Sequence, residues 1–306
     1  MDVLITGVAG FIGSKVAKRF IAQGYKVYGI DDLSSGNINN IPRDINFIKA
    51  DLIDPLSLSK IPSTCELILH LAGQSSGEIS FHNPIEDLKK NTITTLNLID
   101  FGIKNKVKKI LYASSMSVYG DFNCSNAGVK EEDEFRPKSC YGIGKLSSER
   151  YLKIYQNQLP FVALRMFNVY GPGQDMNNMR QGMVSIFLSQ AIKNKKIAIK
   201  GSLRRFRDFI YIDDVVECWF KASLSEKVFN QAINIGTGRK TTVKQIIEMI
   251  KSITKVTETE TLEGTPCDQL GIFSNNKKLT QILNITPKVD LMSGLKNFYE
   301  WAKKDY

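Results

Sequence analysis

The chain has 306 residues, a formal net charge of +10 and a hydrophobic share of 42%, enough for one large α/β unit with an appended lobe. No apolar run approaches a membrane span, and the N-terminus enters a strand pattern at once with no basic leader, so a cytoplasmic protein with no membrane partner is expected. Cys65, Cys124, Cys140, Cys218 and Cys267 are scattered with no Cys-x-x-Cys pair, and His70 and His82 are the only histidines, which argues against a disulfide framework and a metal site, while lysines spread through the helices suit anionic small ligands better than nucleic acid.

In chain order, residues 2–6 read as a short buried strand, followed by a glycine turn carrying Gly7, Gly10, Phe11, Ile12 and Gly13 and an amphipathic helix over about 14–23. Glycines let the backbone turn tightly and approach a pyrophosphate, whose charge meets free N–H groups at the helix N-terminus. A second strand over 26–30 ends in Asp31 and Asp32. A carboxylate there accepts hydrogen bonds from an adenosine ribose and repels a 2′-phosphate, which predicts NAD over NADP.

The alternation continues with strands over 46–50, closing at Asp51 and Leu52, and over 67–71, closing at Leu71, Ala72 and Gly73. Ligands of such sheets gather at the carboxyl ends of strands, so Asp51 is placed near the adenine and 71–73 near the middle of the cofactor, although either segment also reads as a polar turn. A long helix over about 87–104 carries Asn91, and a strand over 107–113 runs into Ser114, Ser115, Met116, Ser117, Val118, Tyr119 and Gly120. Farther on, Tyr141 and Lys145 stand four residues apart at the start of a helix, which puts a phenol and an ammonium on one face. A tyrosine near its ordinary pKa of about 10 is a poor base at neutral pH, and a fixed lysine charge one turn away supplies part of the pull it needs.

Together these segments resemble the extended short-chain dehydrogenase/reductase family in its nucleotide-sugar epimerase/dehydratase branch. The resemblance rests on Gly-x-x-Gly-x-x-Gly, Asp31, His70-Leu71-Ala72-Gly73, the Ser-Ser-x-x-Val-Tyr-Gly segment and Tyr141-x-x-x-Lys145. It continues through Arg165 to Pro172, Arg207 to Val215 and Asn234 to Gly236. It implies an α/β, Rossmann-type doubly wound parallel sheet over 1–167 plus 208–240, and a smaller discontinuous α/β substrate-binding lobe over 168–207 plus 241–306. By the family pattern Tyr141 takes a proton from a sugar hydroxyl, Lys145 holds the nicotinamide ribose and lowers the tyrosine pKa, and Ser115 orients the same hydroxyl. Asn91 and Phe167 fall with the cofactor. Asn168, Arg207 and Asp268 fall with a nucleotide diphosphate sugar. The helices beginning near Asp87 and Tyr141 resemble those through which family members form homodimers.

The reaction is read from the two positions after Ser115. Dehydratases of the family carry an acidic pair there and decarboxylating relatives a glutamate, whereas this chain has Met116 and Ser117, the latter like the small hydroxyl residue of 4-epimerases. One departure concerns the second diphosphate arginine, whose place is taken by Thr265, with Arg180 a substitute. Three readings follow: a 4-epimerase, a 4-dehydrogenase releasing a ketosugar, and a non-enzymatic NAD sensor. Sensors of this type usually lose the tyrosine or serine, and this chain keeps both.

Overall fold

The computed structural model describes residues 1–120, 127–264 and 270–305. Cys124, Thr265, Cys267 and Asp268 lie outside the described residues. The first half alternates strands and helices: β1 (Asp2–Thr6), α1 (Phe11–Ile21), β2 (Lys26–Asp31), β3 (Asn46–Lys49), β4 (Cys65–His70), α2 (Gly77–His82), α3 (Pro84–Leu88), α4 (Thr94–Lys104), β5 (Lys109–Ser115), α5 (Cys140–Ile154) and β6 (Phe161–Met166). The second half contains β7 (Asn168–Tyr170), α6 (Met183–Asn194), β8 (Lys196–Lys200), β9 (Phe206–Arg207), β10 (Phe209–Tyr211), α7 (Ile212–Leu224) and β11 (Gln231–Ile235). It closes with β12 (Thr241–Thr242), α8 (Val243–Thr254), β13 (Glu258–Leu262), α9 (Lys277–Leu283) and α10 (Leu291–Asp305).

Seven parallel strands form one sheet in the order β3-β2-β1-β4-β5-β6-β11, the Rossmann-type arrangement expected from the alternation. Because strand side chains alternate, β1 sends Val3 and Ile5 to one face and Leu4 to the other. Val3 and Ile5 join a core with Val16 and Phe20 of α1 and Trp219 of α7. Leu4 joins Leu98 of α4 and Leu152 of α5. Covered on both faces, β5 is buried along its whole length. The order reverses between β1 and β4, and the crevice beyond their carboxyl ends is the switch point where such sheets take ligands.

Residues 207–236 return to the sheet through β11, whose Gln231–Ile235 pairs with β6. The rest of the second half makes three small pairs, β7 with β10, β9 with β12 and β8 with β13, packed with α6, α8 and α10. The helix expected over 87–104 runs unbroken from Pro84 to Lys104, with α3 passing through a wide π turn at Lys89–Ile93 into α4. The π turn, a feature frequent at functional sites, leaves the Asn91 carbonyl to accept from the Thr95 hydroxyl at 2.7 Å and the Ser148 hydroxyl at 2.9 Å. That ties α4 and α5 together at the crevice.

Candidate active site

The glycine turn closes β1 onto α1 with little room to spare. Gly7 has φ +69°, and a β-carbon there would lie 2.7 Å from the Ala72 backbone nitrogen, so only glycine fits between the ends of β1 and β4. No side chain caps α1, whose first turn contains no acidic residue, leaving its N-terminal N–H groups to an anion. Asp31 is buried at the end of β2 and accepts from Ala9 N and Leu33 N, both at 2.9 Å. Burial pushes its carboxyl up, and these backbone bonds oppose the rise. Asp32 faces Lys90, at 3.1 Å, and accepts from the Ser34 hydroxyl. Asp51 uses its carboxylate on its own turn, accepting from Ile53 N, and Leu52 is buried with its carbonyl on the Asn97 amide.

Leu71 and Ala72 both donate their backbone N–H to the Thr6 hydroxyl. Thr6 faces Nδ1 of His70 at 2.9 Å, and Nε2 of His70 faces the Thr95 hydroxyl at 3.1 Å. Since Thr95 gives its proton to the Asn91 carbonyl, His70 donates from Nε2 and accepts at Nδ1. Burial, then the charge of Lys145, lowers His70 to about 3, so it is a neutral structural link from the glycine turn to Asn91. Beside it, a β-carbon at Gly73 would lie 2.5 Å from Asn91 Oδ1 and 3.3 Å from Lys145 Nζ. Asn91 Oδ1 is fully buried with no hydrogen-bond partner among the described residues. An orphaned acceptor, an ammonium and an uncapped helix start around one crevice fit the polar groups and the charge of a dinucleotide.

Ser115 is the last residue of β5, and its Oγ accepts from Ser117 N and donates to Ser117 Oγ, both at 3.1 Å. The Ser139 hydroxyl caps α5 by accepting from Gly142 N at 3.1 Å, which places Tyr141 in the first turn and Lys145 one turn on. Gly142 allows the approach, because a β-carbon there would lie 2.6 Å from the Ser117 carbonyl oxygen. Tyr141 and Lys145 are both buried. Burial raises Tyr141 to about 12 against its hydrogen bond with Ser115, and burial lowers Lys145 to about 8 against the charge of Asp87. The pull expected from Lys145 therefore does not prevail in the free protein.

A buried network behind Ser115 joins Ser114, Tyr119, Arg165 and Asn234, which stand in the sequence motifs without an assigned role, to Glu149, which stands in none of them. Glu149 of α5 accepts from Arg165 Nε and Nη2 at 2.9 and 2.7 Å and from the Ser114 hydroxyl at 2.5 Å. Nη1 of Arg165 reaches the Tyr119 hydroxyl, which donates to Asn234 Oδ1. Phe167 is buried in a small cluster with Val118, Tyr119, Val129 and Ile272, and its N–H bonds to the Ile235 carbonyl.

On the other side of the crevice, the Asn168 amide lies against Met116 Sδ at 3.5 Å and the Asp208 carbonyl at 3.2 Å. Arg207, half-buried on β9, bonds the Phe206 carbonyl. Neighbouring Asp208, part of the Arg207 to Val215 motif but given no role there, is fully buried and accepts from Thr237 and Ser274 hydroxyls and from Gly238 N, fixing this strand to the start of the C-terminal segment. Arg180 is exposed in the loop before α6. Ser75 and Gln181 bridge that loop to the end of β4 through two reciprocal hydrogen bonds at 3.0 and 3.1 Å.

Comparison with known proteins agrees with this geometry. A putative UDP-glucose 4-epimerase of Methanocaldococcus jannaschii is 34% identical, covering 99% of each chain. The crystal structure of a UDP-glucose 4-epimerase of Thermotoga maritima with UDP-glucose superposes with a TM-score of 0.95 at 37% identity, covering 100% of this chain and 99% of that one. The UDP-glucose 4-epimerase of Thermus thermophilus, in complex with NAD, gives 0.92 at 28% identity, with 100% of both chains covered. Residues 3–236 match the profile of the NAD dependent epimerase/dehydratase family, and the chain belongs to that family.

Proposed function

We propose that the protein is an NAD-dependent nucleotide-sugar 4-epimerase that oxidises C4 of the sugar transiently and restores it with inverted configuration. The observation that carries this reading is the meeting of Ser115, Tyr141 and Lys145 at the end of β5 beside the glycine turn, with Met116 and Ser117 where dehydration would need carboxylic acids. Gly7, Gly10, Phe11, Ile12, Gly13, Asp31, Asp32, Asp51, Leu52, Leu71, Ala72, Gly73, Asn91 and Phe167 would hold NAD, which would supply a reversible hydride acceptor for C4. Tyr141 takes the C4 hydroxyl proton, Ser115 orients that hydroxyl and Lys145 holds the nicotinamide ribose. Ser117 touches the sugar in either orientation. Residues 168–207 and 241–306 form the substrate lobe, where Asn168 and Arg207 grip the diphosphate, an anion suited to the planar guanidinium, with Asp268 and Arg180 assisting.

A second reading, a 4-dehydrogenase that releases the ketosugar, is favoured by one observation: Thr265 stands where the resemblance calls for another diphosphate arginine. A weak hold on the diphosphate lets the ketosugar leave before its return reduction. Incubation with a panel of nucleotide sugars, following the near-ultraviolet absorbance of NADH and resolving products by NMR, separates the two. Turnover to the C4 epimer without NADH accumulation supports the epimerase. Stoichiometric NADH with a free 4-keto product moves the assignment to the dehydrogenase.

A further inference from the structure

Asp87, on α3, is only 1% exposed, and a carboxylate so far from water is expected to have its oxygens satisfied. Oδ1 accepts from Gln74 Nε2 at 2.9 Å and Asn91 Nδ2 at 3.1 Å. Oδ2 is fully buried with no hydrogen-bond partner among the described residues. It faces α5, since a β-carbon at Gly144, the residue before Lys145, would lie 3.3 Å from it. The Lys145 ammonium stands 5.0 Å from the Tyr112 ring centroid and 5.7 Å from that of Tyr141. Asn91, which donates to Asp87 Oδ1, has its own Oδ1 on the side of Gly73 that the ammonium occupies, since a β-carbon at Gly73 would lie 2.5 Å from Asn91 Oδ1 and 3.3 Å from Lys145 Nζ.

We infer that Asp87 is a positioning residue, a buried counter-carboxylate that keeps Lys145 charged and sets the pH range in which the Tyr141–Lys145 pair is competent. The inference rests on the roles proposed above for that pair. Other groups around the lysine are neutral or engaged. His70 on β4 is neutral, burial holds Tyr112 on β5 far above its ordinary pKa, and Glu149 on α5 is paired with Arg165. Burial lowers Lys145 to about 8, and Asp87 is the charge that opposes the fall. Asp87 also adds to the elevation of Tyr141. Burial raises the Asp87 carboxyl itself, and Lys145, Asn91 and Gln74 work in the other direction. Removing the negative charge lowers both members of the pair. The phenolate then forms at lower pH, and the ammonium is lost at lower pH.

The test is Asp87→Asn, which keeps an acceptor for Gln74 and Asn91, with Asp87→Ser as a second uncharged variant. The readouts are the pH profile of kcat/KM and, independent of turnover, the pH dependence of NAD affinity by calorimetry. Both limbs of the bell are expected to move to lower pH by roughly one unit, and the pH above which NAD affinity falls moves with them. A profile reduced in height but unmoved shows a merely structural role and overturns the inference. In the wild-type protein NAD affinity is expected to fall as pH rises past about 8, and an affinity flat to about pH 10 also overturns it. Failure of the wild type to bind NAD at any pH overturns the proposed function and this inference together, whereas normal wild-type binding and turnover with unmoved variant profiles removes the inference alone.

Discussion

The Lys145 ammonium lies 5.7 Å from the centroid of the Tyr141 ring, one helical turn away, yet the phenol stands at about 12 in the free protein because burial, joined by the charge of Asp87, outweighs the hydrogen bond with Ser115. The base is therefore protonated until a bound ligand adds positive charge or a hydrogen bond to it. Tyr141→Phe is expected to lower kcat about 100-fold to 10,000-fold with NAD affinity nearly intact, because only the transferable proton is lost. Steady-state kinetics and calorimetry check this, and a variant keeping a tenth of the wild-type kcat contradicts it. The difference in phenolate absorbance between wild type and Tyr141→Phe is expected to be absent at neutral pH in the free protein.

Asp31 is held by Ala9 N and Leu33 N, which orients its carboxylate beside the glycine turn. A fixed negative charge there disfavours a 2′-phosphate, so NAD is expected to bind at least about tenfold tighter than NADP, a difference of about 1.4 kcal/mol. Asp31→Ala should narrow the ratio. Equal dissociation constants for the two cofactors in the wild type would remove this role from Asp31.

The Arg165 and Glu149 side chains are 4% and 8% exposed and are joined at 2.7 Å, so removing one partner strands a buried charge. Arg165→Met is expected to cost about 3–5 kcal/mol in urea denaturation, and Glu149→Met/Arg165→Met to recover much of the loss, because both charges are then gone. A double variant less stable than the single one would show that the pair is a net stabiliser beyond mutual neutralisation.

Ile85 and Leu88 on α3 and Ile143 and Ile154 on α5 are exposed by 70%, 49%, 56% and 70%, and the two helices pack against each other. Such an apolar face suits a partner, and a homodimer through these helices is the expected assembly. Light scattering should give the mass of two chains at micromolar concentration, and Ile154→Glu should shift it toward one. A single-chain mass for the wild type would assign the face to something else.

The parts of the site that obey local rules were legible in the amino-acid sequence. The tight turn at Gly7 requires positive φ, observed at +69°. A strand end two turns of chain pattern later put Asp31 at the edge of β2, and four-residue spacing put Tyr141 and Lys145 on one helix face. The long helix expected over 87–104 is present as one run from Pro84 to Lys104, but its apolar spacing does not reveal the π turn at Lys89–Ile93. The contacts around that turn, to Ser148 and Thr95, are tertiary and local respectively, and only their combination aims Asn91 at the crevice.

By itself the sequence determined the parallel α/β order, the glycine turn and the placing of Tyr141 and Lys145 on one helix face, because periodicity and glycine stereochemistry act over a few residues, while the roles of Ser115, Tyr141 and Lys145 are what the family resemblance implies. Only the tertiary structure decided the surroundings that tune them. Glu149 meets Ser114 from 35 residues away, Tyr119 meets Asn234 from 115, and Asp208 meets Ser274 from 66, with no period linking the partners. The protonation of Tyr141 was decided in the same way: the sequence shows a lysine one turn away, but the desolvation that overrides it depends on how completely β5, α3 and α5 close around the phenol.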